Sequence, residues 1–212
     1  MSSEQPEFST LKGSISDNTL RAITHAPFNI KHMSPVQAAV LPLLPELADP
    51  HNPDDPSTSP RDLLVKARTG TGKTLAFLIP AVEARIKALD KQSKQALADS
   101  GVKHDKHAED RAKRAIARRE VGALILSPTR ELATQIANEA IKLSGSHPGF
   151  EVRLFVGGVS KHMQMREWMK GRRDIVVGTP GRIRDVLENE PAVKDALSSA
   201  KLVSLLYMLL EL

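Results

Sequence analysis

The segment RTGTGKT at residues 68–74 combines glycines, a lysine and a threonine at the spacing of a phosphate-binding loop. Gly70 and Gly72 allow a tight backbone turn that brings N–H groups close to phosphate oxygens. The segment opens a helical pattern, and the N-terminus of a helix favours anions. Lys73 is placed to reach the β- and γ-phosphates of a nucleotide, and the Thr74 hydroxyl suits Mg²⁺. The alternative is a glycine-rich turn that binds no ligand.

One position of this loop departs from the general pattern G-x-x-x-x-G-K-[ST]. Ala67 stands where the first glycine of that pattern is expected. The remainder matches, and it lies between an apolar run and an apolar helical pattern, which is the strand–turn–helix context that such a loop requires. The sequence therefore predicts nucleotide binding.

The elements that must hold this loop are short apolar runs that alternate with helical patterns. Each run is rich in Val, Ile or Leu and is bounded by Gly, Pro or Thr, which is typical of parallel strands covered on both faces. Strand–helix alternation predicts an α/β fold, a doubly wound parallel sheet with helices on both faces. The predicted strands lie at 62–67, 122–128, 152–158 and 174–180, with a possible fifth at 202–206, and the helical patterns at 73–89, 129–145 and 182–190.

Composition and charge narrow the class of protein. The 212 residues contain no Cys, which excludes a disulfide framework, a Cys-based zinc site and thiol catalysis. No window is apolar enough to cross a bilayer, and the N-terminus resembles neither a signal nor a transit peptide. We therefore expect an intracellular, soluble protein without a membrane partner, its compartment (cytoplasmic, nuclear or mitochondrial) left open.

The basic character of the chain is concentrated in one segment. Residues 85–120 hold eleven Lys and Arg against six Asp and Glu, and the difference of +5 equals the net charge of the whole chain. Within this segment, residues 91–120 have no sustained apolar face and predict a solvated insertion, part-helical or disordered. A Pro- and Asp-rich stretch at 48–62 predicts an exposed loop.

Four motifs in order, ARTGTGKT, SPTRELA, GG and TPGR, resemble those of the DEAD-box RNA helicases of superfamily 2, and the resemblance covers roughly residues 15–203. Ala67 matches that family's form of the loop. The resemblance implies a P-loop NTPase domain of the RecA-like type that uses ATP and Mg²⁺, with Thr74 at the metal. It also implies nucleotide contacts along the whole loop, from Ala67, Arg68, Thr69, Gly70, Thr71, Gly72, Lys73 and Thr74.

Upstream, PFNIKHMSPVQAAVLPLL resembles the adenine-sensing Q motif of the same family. By this resemblance Gln37 would read the edge of adenine and Phe28 would pack against its ring. A carboxamide suits adenine because it offers one donor and one acceptor. The alternative for Gln37 is a helix-capping or surface polar residue, near an N-cap such as Ser34.

The remaining motifs predict an RNA site at the carboxyl ends of parallel strands, where α/β sheets bind ligands. By resemblance they would hold RNA phosphates, so we expect binding that is independent of sequence and sensitive to salt. Aromatic residues are only 3% of the chain, so base stacking is not expected, and Trp168 is predicted to be a core residue. The predicted RNA contacts are Pro128, Thr129, Arg130, Gly157, Gly158, Thr179, Pro180, Gly181 and Arg182.

The segment AKLVSLLYMLLEL at 200–212 falls where the family carries V-L-D-E-A-D on a strand. In that register Leu206 and Tyr207 occupy the positions of the two carboxylates that handle Mg²⁺ and water. The family's S-A-T motif is also absent from the sequence. We therefore expect negligible ATP hydrolysis and no unwinding by this chain alone, with Lys73 as a phosphate clamp in an incomplete catalytic site.

Three interpretations compete. The first is a DEAD-box ATP-dependent RNA helicase represented by an incomplete first core domain, from a truncated or misread gene. The second is a non-catalytic ATP- and RNA-binding module. A P-loop kinase or DNA helicase is disfavoured by SPTREL and TPGR.

The expected organisation is a monomer with a flexible N-terminus (1–14), a Q-motif region (15–47), a RecA-like domain (48–203) with its insertion at 91–120, and a divergent apolar tail (204–212).

Overall fold

The computed structural model describes residues 5–48, 63–68, 70–101, 105–200 and 202–205. The chain divides into two compact units. We call them the N-terminal unit, residues 1–87 and 142–148, and the sheet unit, residues 88–141 and 149–212. The predicted loop at 68–74 and the first turns of the helix that follows it group with the N-terminal unit. The expected domain boundaries stay predictions. In the described part of the chain, no helix is both long and apolar enough to cross a bilayer.

The N-terminal unit is built from short helices around buried apolar side chains. A 3₁₀ turn, Phe8–Leu11, precedes helix α1 (Asp17–Thr24) and helix α2 (Pro35–Val40), and 3₁₀ turns follow at Leu41–Leu43 and Glu46–Ala48. Helix α3 (Lys73–Asp99) begins in this unit at the end of the predicted loop. The buried side chains of this core include Phe8, Leu11, Ile15, Ala22, Ile23, Met33, Val40 and Leu41.

The first residues of the described chain are packed, which differs from the expected flexible N-terminus at 1–14. The Phe8 side chain is fully buried, and its backbone N–H donates to the Lys31 carbonyl at 3.0 Å. The Met33 N–H donates to the Pro6 carbonyl at 2.8 Å. The apolar pair of Phe8 and Leu11 therefore fixes residues 5–14 against the segment that leads into α2.

The sheet unit contains helix α4 (Lys106–Arg119) and four parallel strands: β1 (Ala123–Leu126), β2 (Val152–Phe155), β3 (Ile175–Gly178) and β4 (Leu202–Leu205). The strand order is β2-β3-β1-β4, with Leu126 opposite Gly178 and Phe155 opposite Gly178. This arrangement confirms the predicted α/β fold and the runs at 122–128, 152–158, 174–180 and 202–206 as strands.

The helices that connect the strands are α5 (Arg130–Ser144), α6 (Lys161–Lys170), α7 (Pro180–Asn189) and α8 (Pro191–Ser198). The chain moves along the sheet in one direction from β1 to β2 and in the other from β2 to β3 and from β3 to β4. With right-handed crossovers, this reversal places α5 on one face and α6 to α8 on the other. The sheet is therefore doubly wound, as predicted.

Trp168 anchors the core on one face of the sheet, as the sequence predicts. Its side chain is fully buried, with its ring centroid 5.5 Å from that of Phe155, and the Arg173 guanidinium lies 4.2 Å from the ring centroid. A cation over an aromatic face is attracted by the ring quadrupole. The same apolar cluster includes Val121, Val176, Ile183, Val186, Val193, Ala196 and Leu197.

The prediction of a strand at 62–67 is wrong for the residues that the structure describes. Residues 63–68 form no strand, and Leu64 is fully exposed, with Leu63 47% and Val65 41% exposed. An apolar run becomes a strand only where a neighbouring strand satisfies its backbone N–H and C=O groups. The described part of the chain offers residues 63–68 no such neighbour.

The described residues of the insertion at 91–120 confirm the part-helical alternative of the prediction. The last turns of α3 and the whole of α4 run through it, and Ile116 and Ala117 of α4 are buried in a small cluster with Leu89. Lys113 Nζ lies 2.6 Å from Asp90 Oδ1 and 2.7 Å from Glu109 Oε1. Three buried apolar residues, Ala108, Ile116 and Ala117, and a lysine paired with two carboxylates help to hold α4, which explains why its apolar pattern is weak.

Candidate nucleotide loop and candidate RNA groove

Helix α2 begins with a reciprocal cap made by Ser34 and Gln37. Ser34 Oγ accepts from the Gln37 N–H at 3.4 Å, and Gln37 Oε1 accepts from the Ser34 N–H at 2.8 Å. This is the capping box, which satisfies two helix-terminal donors at once. The spacing Ser-x-x-Gln is the signal in the sequence, and the capping alternative for Gln37 is therefore confirmed.

The same carboxamide reaches the candidate nucleotide loop. Gln37 Nε2 donates to the Gly72 carbonyl at 3.0 Å, and the Gln37 side chain is almost wholly buried. Gly72 has φ +81°, and a Cβ added there would lie 2.5 Å from Gln37 Nε2 and 2.9 Å from Ser34 Oγ. Only glycine combines this conformation with this close approach. The loop is thus fitted to α2 through Gln37.

Gln37 keeps part of its hydrogen-bonding capacity. A carboxamide has two N–H donors and two acceptor lone pairs, and the two contacts above use one of each. One donor and one acceptor are the set that the adenine edge requires. Phe28, the predicted adenine-packing residue, is half-buried in the turn after α1, where its N–H donates to the Ala22 carbonyl at 3.3 Å. The adenine contacts of both residues stay predictions.

Lys73 is the first residue of α3 and turns back onto its own loop. Its Nζ donates to the Arg68 carbonyl at 2.6 Å and also to the Ala67 carbonyl, while Thr71 Oγ1 donates to the Arg68 carbonyl at 2.7 Å. The lysine ammonium group is therefore hydrogen-bonded to loop carbonyls at the place where the helix N-terminus would attract phosphate. Thr69, a predicted contact, lies outside the described residues.

A buried polar cluster beside α1 was not predicted. The Glu83 carboxylate accepts from the Ser16 N–H at 3.0 Å, from Ser16 Oγ at 2.8 Å and from Thr19 Oγ1, whose oxygen lies 2.9 Å from His147 Nε2. Glu83 is 3% exposed. Burial lowers the pKa of His147, opposed by the charge of Glu83. The cluster ties α1 to α3 and to the turn at 144–148.

The predicted RNA residues of the sheet unit meet at one edge of the sheet. Thr129, three residues after β1, caps α5 by accepting from the Leu132 N–H at 3.2 Å, the two glycines follow β2, and Thr179 stands at the N-cap position of α7 directly after β3. These three strands are neighbours and parallel, so their carboxyl ends converge. A groove of about 570 Å³ lies there, lined by Pro128, Thr129, Arg130, Glu131, Gly157, Thr179, Gly181, Arg182 and Asp185.

The glycine pair makes room for Arg130. A Cβ on Gly157 would lie 3.3 Å from Arg130 Nη2, and one on Gly158, which has φ +77°, would collide with Nη1. The guanidinium thus lies directly on the backbone that follows β2. Pro180 occupies the first turn of α7, where its missing N–H costs nothing.

Arg182 is held by a set of polar contacts that the sequence did not identify. Its Nη1 donates to Gln164 Oε1 at 2.9 Å and its Nη2 to the Val159 carbonyl at 3.2 Å, while its Nε lies 3.7 Å from Asp185 Oδ2. Asp185 also accepts from Lys161 at 3.1 Å, and this hydrogen bond is the main reason that its pKa is lowered. No local motif joins Lys161 and Gln164 to the groove.

The candidate metal-handling residues can be assessed only in part. Among the described residues, no group of three or more His, Asp and Glu side chains is placed to hold a metal ion. Leu206 and Tyr207, at the positions of the family's carboxylates, lie outside the described residues. For Mg²⁺ the described chain offers the Thr74 hydroxyl at the start of α3, to which a bound nucleotide would add phosphate oxygens.

Comparison with known families gives a match over most of the chain. A family model described as DEAD/DEAH box helicase matches residues 34–205. The DEAD-box ATP-dependent RNA helicase 25 of Oryza sativa subsp. japonica is 30% identical over 220 residues, covering 95% of this chain and 31% of that protein. Its Arabidopsis thaliana namesake is 34% identical over 191 residues, covering 90% of this chain and 28% of that protein. The chain thus spans about a third of the length of these relatives.

Solved structures agree on the fold. A structure described as Mss116p bound to ssRNA and AMP-PNP matches with a TM-score of 0.66 and 24% identity, covering 99% of this chain and 42% of that chain. At this identity the likeness shows that both share the fold.

Proposed function

The chain belongs to the DEAD/DEAH box helicase family, and on that premise we propose that it forms the ATP- and RNA-binding part of an ATP-dependent RNA helicase. The observation that carries this proposal is the groove of the sheet unit, where Arg130, Arg182 and the Gly157 backbone converge from three strand ends. Relatives named as ATP-dependent RNA helicases support the activity at the level of the family.

The RNA would be held through its phosphates and sugars. The groove offers two guanidinium groups and two helix N-termini, and its lining contains no aromatic side chain on which a base could stack. Contacts to phosphate carry no sequence information, so binding should be independent of sequence and should weaken with salt. We propose that the chain binds RNA as a monomer.

The nucleotide would be held by the loop of the N-terminal unit. When bound, ATP with Mg²⁺ supplies the phosphoryl group for transfer, and the residues of this chain bind and orient it. Lys73 would exchange the Ala67 and Arg68 carbonyls for phosphate oxygens, and Thr74 would face the metal. The remaining donor and acceptor of Gln37 would face the adenine edge.

We further propose that the 212-residue chain binds ATP without appreciable hydrolysis. Leu206 and Tyr207 cannot coordinate Mg²⁺ or polarise water, and both tasks require carboxylates in phosphoryl transfer. A non-catalytic ATP- and RNA-binding module is the competing function. RNA-stimulated turnover by this chain that disappears in Lys73→Ala would refute the proposed lack of hydrolysis and exclude the non-catalytic module.

The decisive experiment measures RNA affinity in matched arginine variants of α7. Arg182→Gln removes a groove guanidinium, whereas Arg184→Gln removes an exposed one that lies 2.8 Å from Glu188. A charge-assisted contact contributes about 1.5–3 kcal/mol, so Arg182→Gln should weaken binding roughly 10- to 100-fold and Arg184→Gln hardly at all.

Fluorescence anisotropy with labelled oligo-U and oligo-A measures the affinities, and circular dichroism checks that both variants fold. Equal affinity for the two RNAs supports backbone binding. Equal losses in the two variants, or binding that depends on RNA sequence, would contradict the proposed groove. Titration with a fluorescent ATP analogue, with and without Mg²⁺, tests the nucleotide loop, and size-exclusion chromatography tests the monomer.

A further inference from the structure

Helix α4 carries an exposed row of arginines that the groove and the loop do not use. Of its 14 residues, six are Lys or Arg and two are Asp or Glu. Lys113 and Arg119 are paired with carboxylates within 3 Å. Arg111, Arg114 and Arg118 are exposed, and none of the three forms an ion pair with a described residue.

These three arginines share one face of the helix. At 3.6 residues per turn, positions 111, 114 and 118 fall within an arc of about 60° and span about 10 Å along the axis. Ile116, which is buried, points to the opposite side, and the buried Ala108 and Ala117 flank it at about 90° to either side of the three arginines. We call Arg111, Arg114 and Arg118 the arginine row.

The helix that bears the row is firmly attached to the sheet unit. The Arg173 N–H donates to the Ala117 carbonyl at 2.8 Å, and the Arg173 guanidinium donates to the Arg118 carbonyl. Arg173 comes two residues before β3, at the amino end of the strand. The row is therefore fixed near the edge of the sheet opposite the groove, which lies at the carboxyl ends.

We propose that the arginine row is a second RNA-binding surface, which contacts the phosphate backbone of RNA that extends beyond the groove. Among the described residues no carboxylate pairs with these three like charges, so they repel one another, and a polyanion relieves this repulsion. The surface of α4 contains no aromatic residue, so it suits phosphates rather than bases. RNA is favoured over other polyanions because the same unit carries the groove, so this inference rests on the proposed function.

The position of the row predicts a dependence on RNA length. Strands of four residues separate the two edges of the sheet by about 10 Å, and the RNA must also pass around the unit. At about 3.4 Å per nucleotide of a stacked strand, RNA of about 6 nucleotides spans ~20 Å and RNA of about 24 nucleotides spans ~80 Å. The groove crosses three neighbouring strands and takes up about 10 Å of this length, so the short RNA has about 10 Å left, which is less than the strand length plus the path around the unit. We therefore expect the short RNA to contact the groove alone and the long RNA to contact the row as well.

The test compares two triple variants of the 212-residue chain. The row variant is Arg111→Gln, Arg114→Gln and Arg118→Gln; the control variant, Lys12→Gln, Arg21→Gln and Lys142→Gln, removes the same charge from exposed positions outside the row. Anisotropy gives the affinities for both RNAs across a salt series. Circular dichroism confirms folding.

Three phosphate contacts should contribute about 2 to the slope of log affinity against log salt, at about 0.7 per contact. Between about 50 and about 200 mM salt, wild type should therefore lose about 20-fold more affinity for the long RNA than the row variant loses. The short RNA should bind wild type and the row variant equally.

The following results would contradict the proposal that the arginine row binds RNA. Wild-type affinity of the row variant for the long RNA, an equal loss on the short RNA, or an equal loss in the control variant would each overturn it. So would row-dependent binding of phosphatidylserine vesicles or polyglutamate without row-dependent binding of RNA. If the short RNA fails to bind wild type, the groove proposal fails, whereas row-dependent binding of the long RNA would still uphold the row.

Discussion

Replacing Gly72 with alanine tests whether Gln37 fits the nucleotide loop to α2. Two costs combine in Gly72→Ala. A non-glycine residue at φ +81° costs about 1–2 kcal/mol. The added Cβ would lie 2.5 Å from Gln37 Nε2, so the amide must leave the Gly72 carbonyl, and an unsatisfied buried polar group costs about 1–3 kcal/mol.

Gly70 is the matched control, because it has a similar positive φ but no side chain near the position of an added Cβ. Its φ is +79°, and a Cβ added there meets nothing within 4 Å. Gly70→Ala should therefore cost only the conformational part, about 1–2 kcal/mol. The difference of about 2 kcal/mol between the two variants corresponds to about 4–8 °C in Tm for a chain of this size.

Thermal unfolding followed by far-ultraviolet circular dichroism measures both variants. A further variant adds Gly72→Ala to a background of Gln37→Ala and Ser34→Ala, which lacks both side chains that the new Cβ would meet within 3 Å. In that background Gly72→Ala should cost about as much as Gly70→Ala costs in wild type. Equal Tm values for the two single variants would refute the reasoning, because the amide contact would then contribute nothing.

Three further predictions concern other parts of the chain. Gly158→Ala should push Arg130 off the backbone after β2 and weaken RNA binding roughly tenfold or more by anisotropy; unchanged affinity would contradict the packing. Because burial lowers the pKa of His147 below its unfolded value, stability should fall as pH drops from about 6.5 through the folded pKa. The Tm of His147→Gln should then depend less on pH over that interval. Trp168→Ala should lower the free energy of unfolding in urea by about 3–5 kcal/mol, whereas Met169→Ala, at an exposed position, should change it little.

Much of the sheet could be predicted because its strands end in signals that the sequence carries. The runs that became β1, β2 and β3 end in Pro or Gly and are followed by helical patterns. The run at 62–67 has the same composition, yet residues 63–68 form no strand. The composition of a run describes one strand, whereas pairing depends on a neighbouring strand, and the partners of β1 lie 50 or more residues away in sequence.

The sequence left helix α4 as one of two alternatives, part-helical or disordered, for a different reason. Its inner face is held by Ala108, Ile116, Ala117 and a lysine between two carboxylates, so a hydrophobic period is barely visible. Long-range polar contacts are harder still to predict from the sequence. Glu83 accepts hydrogen bonds from Ser16 and Thr19, which lie more than 60 residues away, and no local spacing of residues indicates such a contact.

The candidate sites were predictable where a motif concentrates their residues. SPTREL, GG and TPGR supplied most of the groove lining, because each follows a strand and neighbouring parallel strands end together. Gln164 and Lys161 were missed because they reach Arg182 and Asp185 through tertiary contacts, and Asp185, three residues after Arg182 on the same helix, belongs to none of the motifs. The link from Gln37 to Gly72 likewise joins residues 35 positions apart.

The burial of Trp168 makes the chain its own optical reporter. It is the only tryptophan in the sequence, so intrinsic fluorescence excited at the indole comes from the sheet unit alone. A fully buried ring emits at shorter wavelength than one in water, and emission should shift when the cluster around Phe155 opens. Circular dichroism registers the helices of both units. Agreement or disagreement between these two signals during unfolding therefore reveals whether the units melt as one cooperative body.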